Sequence, residues 1–167
     1  MGEESLLIQC AEMLLERGHE VRGIITQSTA ISQWAAEKGL VVLPPGKQLA
    51  NELAAQPAFD YFFSITNLRI IPDEILALPQ RGAINFHDGP LPKFAGLYAT
   101  SWALLHQAER HGVTWHEMGS GIDKGHILTQ QLFDIAEGET AFSLNVKAYE
   151  AAIASFTELV TGIETNT

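Results

Sequence analysis

The stretch Ile84-Asn85-Phe86-His87 closes an apolar run, and 36 residues after its histidine comes Gly121-Ile122-Asp123-Lys124-Gly125. Asn85 and His87 are two positions apart, so on a strand their side chains share one face. An aspartate between glycines can swing into the same cleft. Amide, imidazole and carboxylate together are suited to forming and collapsing a tetrahedral acyl intermediate. Reading residues 83–87 as a strand places His87 at its carboxyl end, where open α/β sheets bind their ligands.

Working outward, the periodicity predicts helices over residues 5–17, 30–38 and 47–55, with a helical turn over 72–78. Two further helices are predicted over 98–109 and 140–160. Ser5 is placed to cap the first helix and Gly18 to end it. Apolar strands are expected over 21–26, 40–43, 59–65, 83–87, 113–118 and 126–133. Alternation of strand and helix in the first half predicts right-handed βαβ units and an α/β fold, with a mostly parallel sheet flanked by helices. Such a domain ordinarily opens with a strand. This sequence opens at Met1-Gly2-Glu3-Glu4-Ser5, so the expectation is a fold that starts with its helix, or one whose first strand, about five residues long, is absent. Residues 1–163 are read as one catalytic domain and 164–167 as a polar tail.

Bulk properties exclude several classes. The 167 residues are 46% hydrophobic and only 18% charged, which is ample for a core and unlike a disordered chain. A single cysteine, Cys10, leaves no internal disulfide; it sits on a helical face with Leu6, Leu7, Ala11 and Leu14 and reads as buried. No apolar stretch approaches the ~20 residues of a membrane span, and no leader pattern is seen, so a cytoplasmic location is expected. The net charge of −10 offers no basic cluster to neutralise phosphates, so nucleic acid is not an expected partner of this chain alone.

The Asn85/His87 and Asp123 motifs, with Leu91-Pro92 between them, resemble the folate-dependent formyltransferases. These include enzymes acting on methionyl-tRNA, glycinamide ribonucleotide and sugar nucleotides, and formylation domains of nonribosomal peptide or polyketide synthetases. The resemblance covers roughly residues 2 to 160, including the Arg17-Gly18-His19-Glu20-Val21 turn. It implies a Rossmann-like formyltransferase fold, 10-formyltetrahydrofolate as formyl donor, no metal, and a catalytic trio of Asn85, His87 and Asp123. By position it also implies cofactor contacts from Leu68, Arg69 and Ile71, and from Ser120, Gly121 and Ile122. Segments 97–102 and 112–116 look most similar to the assembly-line formylation domains. The implied acceptor is then a primary amine, an amino acid or an amine, free or on a carrier protein, and the chain would form part of a larger polypeptide. Asp88-Gly89-Pro90-Leu91-Pro92 departs from the family's Ser-Leu-Leu-Pro, putting a carboxylate beside the site. Glu3 and Glu4 stand where the ribonucleotide enzymes have a glycine-rich loop, which disfavours a phosphorylated acceptor.

Plainer readings stand beside these. A histidine ending a strand ordinarily satisfies nearby backbone, and an aspartate between glycines is ordinarily a turn residue. Arg69 can equally be a surface cation. His116 and His126 match no metal-ligand spacing with His87 and are read as solvated or packed. His106 and His111 are placed at a helix end, and residues 137–140 form a turn and cap. Two alternatives to formyl transfer remain: hydrolysis of the same donor, and a formyltransferase-like module that binds without catalysis.

Overall fold

The computed structural model describes residues 1–119 and 121–165. The chain divides into two compact units, Met1–Ile84 and Asn85–Thr167, and each is described by itself.

In the first unit α1 (Ser5–Glu16) buries Leu6, Leu7, Cys10 and Ala11, and burial pushes the Cys10 thiol well above its usual range. Glu4, not Ser5, occupies the cap position, and no side chain caps the helix. Gly18 closes it as expected, at φ +83°, with its N–H donated to Leu15 O and that of His19 to Leu14 O. β1 (Ile24–Ile25) pairs in parallel with β2 (Val42–Leu43), and α2 (Thr29–Glu37) connects them, capped by Ser28. Both strands are shorter than expected, because only these residues make the parallel ladder.

α3 (Leu49–Ala54), β3 (Tyr61–Ser64) and α4 (Asp73–Leu76) follow. The expected absence of a first strand has a local answer. Gly2 N donates to Ile25 O, Met1 N donates to Phe63 O, and Ile65 N donates to Met1 O. Met1 and Gly2 thus occupy the strand position between β1 and β3. A Cβ on Gly2 would lie 2.0 Å from Ile65 O, so only glycine permits that approach. Glu3 does not project freely. Its carboxylate accepts from Thr26 Oγ1 and from Gln27 N at 3.0–3.1 Å.

β4 (Gly82–His87) carries the chain from one unit into the other. In the second unit α5 (Ala99–Leu105) is shorter than the helix expected over 98–109. Gln107 turns at φ +50° and β5 (Arg110–Glu117) begins three residues later. β5 pairs antiparallel with β6 (Ile127–Asp134), with a register shift between Trp115 and His116. α6 (Ala141–Thr165) covers this ladder and buries Leu144, Ala148, Ala152, Phe156 and Val160. It extends past the expected end at residue 160, so the polar tail is helical through Thr165. Thr140 caps α6 by accepting from Ser143 N, as the turn at 137–140 predicts.

Trp115 anchors the core of this unit. Its ring lies 5.0 Å from Phe86 and 4.9 Å from Phe156 between centroids, and its Nε1–H donates to Ser155 Oγ.

Candidate active site

The first member of the trio is fixed by a loop. His87 ends β4 and is buried, with its Nε2 at 2.6 Å from the carbonyl oxygen of Phe94. A carbonyl only accepts, so the ring carries a proton on Nε2 and leaves Nδ1 for other work. Gly89 makes this contact possible. A Cβ there would stand 3.0 Å from both His87 Nε2 and Phe94 O, and 2.8 Å from Ala99 Cβ. The loop 88–94 is held from below by buried Thr114 and half-buried Gln130. Thr114 Oγ1 donates to Gly89 O and accepts from Leu91 N, while Gln130 Nε2 donates to Leu91 O and Thr114 Oγ1.

Asp123 faces the free nitrogen, its Oδ2 lying 3.7 Å from His87 Nδ1. The same Oδ2 accepts from Gly96 N at 2.8 Å, and only 9% of the side chain is exposed. Its backbone is in the left-handed region at φ +53°, a conformation aspartate tolerates better than most residues. Gly125 lets the same turn close, since a Cβ there would collide with Glu117 O at 1.6 Å. The hydrogen bond with His116 holds the Asp123 carboxyl below the usual aspartate value. The Gly96 N–H and the two nearby imidazoles act in the same sense, and burial opposes them.

Asn85 completes the group from β4. Its Nδ2 lies 3.2 Å from His116 Nε2, and His116 Nδ1 is 2.8 Å from Glu117 O. The Glu117 carbonyl fixes the His116 proton on Nδ1, so neutral His116 accepts one amide proton from Asn85. The second N–H of the amide is then left for a ligand. When His116 is protonated, its Nε2–H points instead at Asp123 Oδ1, 3.5 Å away. Of the two expectations for His116, solvated or packed, the second holds, and its contacts go further. It is 3% exposed and links two members of the trio. The signal was available: His116 lies seven residues before Asp123 and one face away from the buried Trp115.

The Asp88 carboxylate, half exposed, lies 4.0 Å from His87 Nδ1. That nitrogen consequently faces two acidic groups. His111 belongs to β5 rather than to a helix end, a correction. It is wholly buried, and burial lowers its pKa. His106 does cap the end of α5.

The remaining expected contacts divide. Ile122 is exposed, and Gly121 turns at φ +127°. Ser120 lies outside the described residues. In the first unit Leu68 and Arg69 are exposed, whereas Ile71 is buried with its side chain in the core of that unit. Asn67 shapes the segment, accepting from Arg69 N and donating to Arg69 O, and Arg69 bonds Gln27 Oε1 through its guanidinium. Among the described residues no group of three or more His, Cys, Asp or Glu could hold a metal, and no helix could cross a membrane.

A family model described as formyl transferase matches residues 15–160. The chain belongs to the formyl transferase family. Methionyl-tRNA formyltransferase of Alkaliphilus oremlandii is 29% identical over 161 residues, covering 87% of this chain and 52% of that protein. The chain thus spans about half the length of this relative. Among solved structures, glycinamide ribonucleotide transformylase 1 from Symbiobacterium toebii superposes with a TM-score of 0.84 at 22% identity, covering 96% of this chain and 82% of that one. An N-formyltransferase from Helicobacter canadensis, solved with folinic acid and dTDP-3-aminofucose, gives 0.79 at 23% identity, covering 99% and 63%. These likenesses establish the fold of this formyl transferase: α/β, with a mostly parallel open sheet flanked by helices.

Proposed function

We propose that the protein transfers a formyl group from 10-formyltetrahydrofolate to a primary amine, an amino acid or another amine, either free or carried on a protein. The observation that carries this is the available Nδ1 of His87 facing Asp123, with Asn85 tied to the same carboxylate through His116. An amine attacking the formyl carbon makes a C–N bond and turns the carbonyl oxygen into an oxyanion. The second N–H of Asn85 and a protonated His87 Nδ1 are the donors to it. One such donor is worth about 3 kcal/mol of transition-state stabilisation.

Protons must balance. The attacking nitrogen loses one through water to Asp123, and the departing N10 gains one from His87 Nδ1–H, which the Asp123 proton then replaces. Before attack the Asp123 carboxyl, held below the usual aspartate value by its hydrogen bonds, is ionised and can receive that proton. Within the second unit we assign donor contacts to Gly121 and the exposed Ile122; within the first, the exposed Leu68 and Arg69 are available to a ligand. Ile71 is assigned a supporting place in the core.

The relative whose name specifies tRNA extends well beyond the region matched here. With twenty acidic and ten basic residues, this chain offers little to a polynucleotide, and we assign it a small or carrier-bound acceptor. The test is release of tetrahydrofolate from 10-formyltetrahydrofolate in the presence of candidate amines. Amine-stimulated release that His87→Ala abolishes is the expected result. Formate produced equally without amine would make the protein a hydrolase, and folate binding without turnover would make it a binding module. Either outcome overturns the proposal.

A further inference from the structure

His111 is a buried titratable group with no part in the chemistry above. It lies on β5, wholly enclosed, with its ring edge-on to Phe94 at 5.9 Å and to Phe133 at 5.8 Å. Its Nε2 lies 3.0 Å from Asp88 O, so the proton is on Nε2 and is donated to that carbonyl. Its Nδ1 has no hydrogen-bond partner among the described residues. Packing alone does not explain such a residue. An apolar ring would fill the space between two phenylalanines without enclosing an unmatched nitrogen.

Both residues that His111 touches in the loop bear on His87. Asp88 follows it directly and sets its carboxylate 4.0 Å from Nδ1. Phe94 supplies the carbonyl that holds Nε2. Thr114 and Gln130 already secure the middle of the loop at Gly89 and Leu91. At the two ends His111 bonds Asp88 O and meets the ring of Phe94, which also packs with Ala99, Ala103 and Leu144.

We infer that His111 is a positioning residue for His87, gripping Asp88 by a hydrogen bond and Phe94 by ring contact, so that the imidazole keeps its orientation toward Asp123. The catalytic part of this inference rests on the formyl-transfer reading; the structural part does not. A loosened loop would let His87 rotate. Misplacement by about 1 Å in such a site costs up to ~100-fold in rate.

The test compares His111→Phe, which keeps a ring and withdraws the donor, with His111→Gln, which keeps an amide donor. His111→Leu, which also lacks a donor, replaces the phenylalanine variant if added bulk prevents folding. Melting temperature, kcat, KM and the downfield proton resonance of His87 Nε2–H are measured. That resonance is assigned by its absence in His87→Ala. For the phenylalanine variant the expected result is an unchanged melting temperature, kcat lower by about 10-fold, KM unchanged, and a shifted or broadened resonance. The glutamine variant should return to within about 3-fold of the parent kcat. A phenylalanine variant with parental kcat and resonance would overturn the inference. Equal losses of kcat and melting temperature in both variants would also overturn it, since they would indicate packing alone. Should the parent prove unable to transfer formyl groups, the resonance still decides the structural claim.

Discussion

Two loops of this chain, one bearing on His87 and one carrying expected cofactor contacts, are built in opposite ways. The loop 88–94 in the second unit is bonded from beneath by His111, Thr114 and Gln130, all far off in sequence. The segment 66–71 in the first unit is shaped mainly by its own Asn67, with Leu68 and Ile70 more than four-fifths exposed. Long-range bonds in low dielectric hold a geometry, while a local turn with outward side chains can adapt. A group that must face a reacting carbon belongs on the first kind of loop. A surface that accommodates an extended ligand can use the second.

Four measurements can break or sharpen this contrast. The largest effect is expected from Asp123→Asn. It keeps an acceptor for Gly96 N but removes the charge facing His87, and kcat should fall by roughly 10²–10³-fold with the fold retained by circular dichroism. The same variant has a pH signature. The folded carboxyl titrates below its unfolded value, so its stabilisation is full above the unfolded value. It is lost as pH falls through the lower folded one. Acid unfolding of the asparagine variant should lack that component.

Next comes Gly89→Ala, whose new methyl crowds His87 Nε2 and Phe94 O. Roughly a 10²-fold loss in kcat and about 1–3 kcal/mol in stability are expected from activity assays and urea titration. Arg69→Ala should behave differently, raising KM for the donor by about 5–10-fold with kcat nearly unchanged, the mark of binding that does not discriminate the transition state. If Arg69→Ala lowers kcat instead, the adaptable segment takes part in chemistry and the contrast fails. The smallest effect is reserved for Lys147→Met, at the start of α6. Lys147 holds the Glu139 carboxyl at about 2. Its removal should lower the melting temperature slightly at neutral pH, with the cost fully present above about pH 4.5 and fading as pH falls towards 2, so the acid dependence between 4.5 and 2 narrows.

Much of the site was legible because its chemistry is written in side chains. Asn85, His87 and Asp123 stand in short motifs, and the strand period places the first two together. His116 was missed for a definable reason. β5 is buried along both faces from His111 to His116, so period-two alternation offers no outward side against which to sort its residues. The end of α5 was misjudged because residues 106–109 have helical composition, whereas Gln107 in a left-handed conformation turns the chain into β5. The grip of Thr114 and Gln130 on the loop 88–94 was invisible for another reason. Hydrogen bonds between residues 16 to 39 positions apart leave no periodic trace. Glycines were partly readable: Gly18 and Gly39 end helices as expected, while the need for Gly89 and Gly125 emerges only from what crowds them.

The Phe94 carbonyl that occupies one nitrogen of His87 leaves the imidazole a single door. It cannot pass a charge in at one edge and out at the other, as a two-sided relay would. On the formyl-transfer reading, any hydrogen ion it gives to the departing nitrogen must be replaced through the same atom. Acceptor and donor of that ion would then call at the door in turn, an order in time set by one backbone oxygen.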